Sequence, residues 1–216
     1  MIEIIKPDVF GWDAAIRGMR NPLNSWGKSD SCYCSDESFV GVPYFKIGEN
    51  DLDLMKRLIK GGTEHRKFLR MIVVVVDINA PCYWWSEYDT YKVGTVANSC
   101  SKMHTLHKRN ITLADFSHEH LTACNRNLLT LLIKNINEAR MMFVANPKSP
   151  VAKEDWYQMI QLLPSSYNQK RTVQLNYEVL LTQYRQRKGH KLDEWRQYCD
   201  WVESLPYMKE FLEVVK

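Results

Sequence analysis

The sequence of 216 residues lacks any long apolar run. The longest, Met71–Val76, has six residues, far fewer than the roughly 20 that a membrane-spanning helix needs. The first ten residues contain no apolar stretch typical of a signal peptide, so we expect a cytoplasmic protein without a membrane partner. There is no block of five or more like charges and the formal net charge is only +4, which argues against a specific nucleic-acid partner.

Three nucleotide-site and hydrolase motifs are also missing: G-x-x-x-x-G-K-[ST], G-x-G-x-x-G and G-x-S-x-G. Sites of the P-loop, Rossmann and α/β-hydrolase types are therefore not predicted. Cys32 and Cys34 are too close in sequence for a zinc knuckle or a thioredoxin motif, and we expect reduced thiols. Four histidines between residues 104 and 120 lack carboxylates or cysteines at familiar ligand spacing apart from Glu119, so we expect no metal.

What remains is an ordinary globular composition, with 45% apolar and 25% charged residues. Its length favours a single domain over 1–216, with possible elaborations at 20–48 and 104–120. The chain has 7 Trp and 11 Tyr, and several of them cluster between residues 83 and 91. Such rings line a core or an interface, or they stack on a flat ligand.

The hydrophobic pattern predicts a mixed α/β (α+β) fold, with a buried strand in the first half and a helical second half. Residues 70–79 are β-branched and continuous, as in a strand buried on both faces, and residues 1–6 predict a short strand. Apolar residues at helical spacing predict a stripe of Leu128, Leu132, Ile136 and Ala139. The predicted helices cover residues 12–19, 51–60, about 121–144, a segment through Trp156 to Leu163, and about 173–188, 190–204 and 207–216.

Two of these helices carry polar groups that could form a site. Asn176 and Arg187 are eleven residues apart, so at 100° per residue they share a face of the 173–188 helix. That face could hold a flat anionic ligand, or it could be a solvated surface. His190 and Glu194 are neighbours at i and i+4, either as a pair that orients a proton donor or as a surface pair.

The spacing of these residues resembles a known family. The pattern LP-x(11)-N-x(10)-R-x(2)-H-x(3)-E-x-R, from Leu163 to Arg196, resembles the C-terminal half of the flavin-dependent thymidylate synthases. The segment from Gly62 to Phe68 resembles a second motif of that family. Asn98 and Ser101 match the end of its signature R-H-R-x-x-S-x-N-x-x-S.

The resemblance implies a ThyX-like homotetramer with sites at subunit interfaces. The family binds FAD and dUMP, and it uses NADPH and methylenetetrahydrofolate to make dTMP. Carried over by position, the residues that would bind the nucleotide are Arg187, Asn98, Ser101 and Lys92. Those that would bind FAD are Asn176, His190, Glu87 and His65.

The sequence departs from the family where the family has arginines. Thr90-Tyr91-Lys92, or Tyr91-Lys92-Val93, stands in place of Arg-His-Arg, and Ile160 stands in place of a nucleotide-binding arginine. Arginines there make bidentate hydrogen bonds to phosphate, and losing one from a desolvated phosphate costs about 2–5 kcal/mol.

Three interpretations of function follow. The first is a divergent homologue that binds a dUMP-like nucleotide or a related planar anion at a subunit interface, with the family's chemistry altered or absent. The second is an active flavoprotein that carries out FAD-dependent reductive methylation of dUMP to dTMP. The third is a non-enzymatic bacterial or phage accessory protein that sequesters a nucleotide signal or binds a partner.

Overall fold

The computed structural model describes residues 1–34 and 44–215, and it has a mixed α/β architecture. Its strands are β1 (Glu3–Phe10), β2 (Cys32–Cys34), β3 (Tyr44–Lys46), β4 (Val73–Pro81), β5 (Val96–Ser99) and β6 (Asn168–Asn176). Its helices are α1 (Trp12–Arg20), α2 (Glu49–Lys60), α3 (Cys82–Tyr88), α4 (Lys102–Thr105), α5 (Ala123–Ala145), α6 (Ala152–Gln161), α7 (Tyr177–Arg187), α8 (Asp193–Ser204) and α9 (Met208–Val214). Within the described ranges, no helix is both long and apolar enough to cross a membrane.

The chain divides into two compact units. The first unit comprises Met1–Ile5, Asp77–Thr90 and Ala97–Val173. The second comprises Lys6–Val76, Tyr91–Val96 and Gln174–Lys216. Strands β1, β4, β6 and β5 form one four-stranded sheet in that order, and β2 pairs with β3 in a separate antiparallel sheet.

Strand β4 is the buried strand that the valine run predicts. Along it, fully buried residues alternate with half-buried ones, as expected where successive side chains point to opposite faces of a sheet. Val74, Val76 and Ile78 are buried almost completely. The sheet order places β4 between two other strands, so both of its edges are paired. The mixed α/β class expected from the sequence is confirmed.

The core of the first unit forms where α5 packs on α6. Leu129, Ile133 and Ile136 of α5 are buried with Met159 of α6. The predicted stripe on α5 is wrong at its start, because Leu128 is 65% exposed and the buried positions lie one residue later. An apolar sequence on several sides of a helix leaves its inward face ambiguous, and packing decides it.

The segment 104–120, for which the sequence suggested an elaboration, also contributes to this core. Leu106, Ile111 and Phe116 are buried in it. At the surface of the segment, the guanidinium of Arg109 pairs with the carboxylate of Asp115. Among the described residues, no three histidine, cysteine, aspartate or glutamate side chains come together as a metal-binding group.

Two predicted helix starts are wrong. Residues 168–176 form β6 rather than the first turns of a helix, and α7 begins at Tyr177. Val173 and Leu175 are buried while their neighbours are not, which is the two-residue period of a strand. The next helix, α8, begins at Asp193, so His190 precedes it and does not share a helical face with Glu194.

A buried ion pair organises residues 20–31 of the second unit. Arg20 and Asp51 are 4% and 0% exposed, and the Nε of Arg20 donates to Oδ1 of Asp51 at 2.6 Å. Oδ2 of Asp51 accepts from the hydroxyls of Ser29 and Ser31, both at 2.6 Å, and from two backbone N–H groups at 3.2 Å. The carboxylate is therefore fully hydrogen-bonded, as a buried charge requires.

The predicted long loop over residues 20–48 is consequently only partly a loop. It contains two short 3₁₀ turns and the strand pair β2–β3. Arg20, the partner of Asp51, donates to the backbone carbonyls of Ser25 and Lys28 in this segment. Residues 35–43 lie outside the described part of the chain.

We predict that Asp51→Asn lowers the free energy of unfolding by about 3–5 kcal/mol, because it leaves the Arg20 charge buried without a counter-ion. Burial of the carboxyl opposes ionisation, but hydrogen bonds from Ser29, Ser31 and Arg20 outweigh it and lower the pKa of Asp51. A lowered folded-state pKa contributes stability above about pH 4 that is lost as the pH falls through the folded-state value. Urea unfolding between neutral and acidic pH measures both effects.

The matched control is Asp53→Asn, since Asp53 is exposed on the same helix. Its substitution should change stability by no more than about 0.5 kcal/mol. Equal effects of the two substitutions would show that the buried pair does not organise this segment.

Candidate functional site

The candidate site of the second unit lies along α7. Residues 91–95 pass beside this helix, and Gly94 has a φ of 76°, in the left-handed region. A Cβ at Gly94 would lie 3.1 Å from Nδ2 of Asn176 and 3.2 Å from Cγ2 of Val179, so this backbone is close to the first turn of α7. At the other end, Oη of Tyr91 donates to Oε1 of Gln186 at 2.8 Å.

Arg187, at the last turn of α7, is held by two aromatic side chains. Its Nε donates to Oη of Tyr91 at 2.8 Å. Its guanidinium carbon lies 4.7 Å from the ring centre of Trp195 and 5.5 Å from that of Tyr91. Trp195 is fully buried, so the ring that supports the guanidinium is fixed by the core. We call these three residues the Arg187 cluster.

The contacts of the cluster define the chemistry it can perform. A guanidinium over an aromatic face gains a cation–π attraction, and a planar fork of N–H groups suits carboxylate or phosphate. Arg187 is half-buried, so its charge lies where water screens it less than at an open surface. The arrangement is suited to binding a planar anion.

His190 lies beside the cluster. Its ring centre is 6.3 Å from that of Trp195, and its Nδ1 accepts from the backbone N–H of Leu192 at 3.2 Å. His190 thus lies near Arg187 although it belongs to the connection between α7 and α8 and not to a helix. Glu194, which follows at the start of α8, is 5% exposed.

Asn176 is the N-cap of α7. Its Oδ1 accepts from the backbone N–H of Val179 at 3.1 Å, which satisfies one of the helix's first donors. An eleven-residue helix with a 1.5 Å rise per residue separates Asn176 from Arg187 by about 16 Å. The two residues therefore lie at opposite ends of α7.

The remaining predicted site residues have different environments. Lys92 and His65, in the second unit, are exposed. In the first unit Asn98 is exposed on β5, Ser101 is half-buried just before α4, and Glu87 is half-buried on α3.

Most of the aromatic cluster near residue 85 belongs to the core of the first unit. Trp84, Trp85 and Tyr88 are each no more than 2% exposed. The guanidinium of Arg171 lies 4.2 Å above the Trp85 ring, and its Nη1 forms an ion pair with Asp89 at 2.7 Å. Of the three roles that the sequence suggested for these rings, a place in the core describes Trp84, Trp85 and Tyr88, whereas ligand stacking and interface packing do not.

Trp195 is the site residue that sequence reasoning missed. It lies eight residues after Arg187, across the α7–α8 connection, so no single-element periodicity relates the two. The sequence offered one indication, which is that Trp195 follows Glu194 within the segment that resembles the family, where an aromatic ring could contact Arg187.

A crystal structure of flavin-dependent thymidylate synthase ThyX from Helicobacter pylori, complexed with FAD and dUMP, matches with a TM-score of 0.65 and 16% identity. The match covers 99% of this chain and 100% of that one. The chain has the fold of a flavin-dependent thymidylate synthase.

A second structure of the Helicobacter pylori ThyX with FAD and dUMP gives the same TM-score and identity, with both chains covered completely. No protein-family model matches the sequence. No curated protein matches it either. The likeness is therefore one of fold, at low sequence identity.

We predict that Gly94→Ala lowers the free energy of unfolding by about 1–2 kcal/mol, because a Cβ is strained at positive φ. Its new methyl group would also press on Asn176 and Val179. Chemical unfolding measures the loss. In the control Gly27→Ala, the new Cβ meets nothing within 4 Å. A Gly94→Ala protein as stable as the control would contradict the described path of residues 91–95.

Proposed function

We propose that this chain is a divergent protein of the flavin-dependent thymidylate synthase fold that binds a dUMP-like nucleotide or a related planar anion. Arg187 is its principal anion-binding group, and reductive methylation is absent or altered. The observation that carries the proposal is the Arg187 cluster, in which Tyr91 and Trp195 orient a half-buried guanidinium. The fold likeness to structures that contain dUMP supports the choice of ligand class.

Preorganisation is the physical reason to assign binding to Arg187. An arginine side chain in water loses rotamer freedom when a ligand fixes it, and this loss weakens binding. In the Arg187 cluster that freedom is already restricted by the hydrogen bond to Tyr91 and by the Trp195 ring. The planar ring of Tyr91 adds a surface on which a base could stack.

The residues present do not fit the charged site that the family's Arg-His-Arg motif would provide for FAD. Where the resembled family has Arg-His-Arg, Tyr91 is committed to Arg187 and Gln186. The Oδ1 of Asn176 caps α7, and the Nδ1 of His190 accepts a backbone hydrogen bond. We therefore assign no step to a flavin.

The position of the second missing arginine supports the same proposal. Ile160 lies on α6 and packs, partly buried, against the apolar core of the first unit. An arginine at this half-buried position would lay its aliphatic stem along that core and keep its guanidinium in water, whereas isoleucine packs there and offers no donor to a phosphate. The chain has used this position for packing rather than for phosphate.

The second candidate function is the FAD-dependent methylation of dUMP itself. The observation in its favour is that the fold likeness to FAD-bound structures extends over the whole chain. A chain that binds nucleotide without this chemistry would instead act by sequestering it, as an accessory protein does.

We also propose that the chain forms a homotetramer. Helix α5 supports this, because Leu131 and Met142 are more than half exposed on the side that faces away from the buried Ile133 and Ile136. Exposed apolar side chains along one long helix are typical of a surface that another copy covers.

The test of the nucleotide site is Arg187→Ala. We predict at least about a 30-fold loss of affinity for dUMP in isothermal titration calorimetry, with little change in unfolding temperature. Arg185→Ala, an exposed arginine on the same helix, is the matched control and should bind as the parent does.

Equal affinity of the Arg187→Ala and parent proteins would place the nucleotide elsewhere. A purified protein that is yellow, takes up FAD stoichiometrically and converts dUMP to dTMP would establish the second candidate function instead.

For the homotetramer, light scattering after size exclusion should give four times the chain mass. Replacing Leu131 and Met142 together with aspartate should yield a smaller, still folded species, because charges would be buried at the contact. A monomeric parent protein would refute this proposal.

A further inference from the structure

A second concave surface of the second unit is independent of the Arg187 cluster. It is a groove of about 890 Å³ between the end of β1, the strand pair β2–β3 and the segment from α8 to α9. We call it the aromatic groove. Its lining residues are Pro7, Asp8, Val9, Phe10, Gly11, Trp12, Tyr33, Tyr44, Phe45, Trp201, Ser204, Leu205, Pro206, Tyr207 and Glu210.

The groove combines aromatic walls with acidic charge. Seven of these fifteen residues are aromatic, two are acidic and none is basic. Phe10, Tyr33 and Tyr44 remain 51%, 66% and 51% exposed. All three line the same concave surface, and exposed apolar groups gathered on one surface mark interaction sites, as scattered ones do not.

The walls of the groove are built by packing of ring against ring. Tyr33 and Phe45 meet edge to face across β2 and β3, with ring centres 4.9 Å apart. Trp12 and Tyr207 meet in the same manner at 5.5 Å, and Oη of Tyr207 accepts from the backbone N–H of Ile47 at 3.0 Å. These contacts fix the rings before a ligand arrives, which lowers the entropy cost of binding.

Charge selects the class of ligand. Asp8 and Glu210 form no ion pair within residues 1–34 and 44–215, although the chain as a whole has a formal charge of +4. Two carboxylates repel a nucleotide phosphate and attract a cation. The groove is too large for a single ammonium group, since cavities of this size hold whole drug-sized molecules or short peptide segments.

We propose that the aromatic groove binds a proline-rich peptide segment that carries a basic residue. Aromatic-lined grooves recognise the polyproline II helix, whose fixed backbone loses little entropy on binding. Proline rings pack between the aromatic side chains, and the hydroxyls of Tyr33 and Tyr44 are donors suited to the peptide's carbonyl groups. Asp8 and Glu210 pair with the basic residue.

The experiment uses the full chain and a fluorescein-labelled peptide of one arginine followed by eight prolines. Fluorescence anisotropy should show saturable binding, about tenfold weaker after Tyr33→Ala because this removes one wall of the groove. Tyr157→Ala, at an exposed tyrosine of α6 outside the groove, should bind as the parent does. dUMP binding should be the same in all three proteins, which separates this proposal from that for Arg187.

Charge is tested with a second peptide in which glutamate replaces arginine. The parent chain should bind it at least about threefold more weakly, and the double variant Asp8→Asn, Glu210→Gln should bind both peptides alike. Unchanged melting curves show that the variants fold.

Four results would overturn the proposal. They are the absence of saturable binding, equal binding of a peptide with alanine in place of proline, preferential binding of a maltose oligomer, and a parent oligomer that dissociates on Tyr33→Ala. The last two would assign the groove to a carbohydrate or to a second copy of this chain.

Discussion

Helix α7 is fixed by buried contacts from Tyr177 to Tyr184, and the candidate site at its end depends on this. At its start Tyr177 is fully buried, with its ring 5.2 Å from that of Trp12 and its hydroxyl donating to a backbone carbonyl at 2.9 Å. In its middle, Gln183 accepts from the hydroxyl of Tyr198 on α8 at 2.6 Å, and both residues are fully buried. A closely packed interior resists displacement, so Arg187 at the helix end has a defined position.

Two arginines contribute to the fold through contacts within the protein. Arg20 forms a buried ion pair with Asp51. Arg171 is likewise committed to Trp85 and Asp89. Arg187 also lies against aromatic rings, those of Tyr91 and Trp195. In the proposed function, Tyr91 stands where the resembled family has its Arg-His-Arg motif, so a ring that can stack on a base takes the place of charge that binds phosphate.

The fold class was predictable from the sequence because its strands and helices have clear hydrophobic patterns. The valine run of β4 has no good alternative to a buried strand, and α1 and α2 have clear amphipathic periodicity. Strand β6 was missed because the predicted helix was started at about residue 173, so that it included the last residues of the strand. Helix α7 starts after Asn176 because the side chain of Asn176 caps it with one hydrogen bond. Hydrophobic periodicity is averaged over many residues, so it does not locate a boundary set by a single residue.

The site was predictable only in part, for a similar reason. Sequence reasoning named Arg187 and His190 as candidates, and the structure places both beside the ring of Trp195. That reasoning did not identify Tyr91 and Trp195 as their supports, since these contacts join residues that are distant in sequence and depend on tertiary packing. The aromatic groove was equally hidden, because four separate segments build it.

The most direct test of the account is a crystal structure of the chain grown with dUMP. We predict the nucleotide beside α7, with an oxygen atom within hydrogen-bonding distance of the Arg187 guanidinium and Tyr91 still against that arginine. A nucleotide bound elsewhere, or one whose phosphate is held without Arg187, would contradict the claim that the Arg187 cluster is the anion-binding site of this protein.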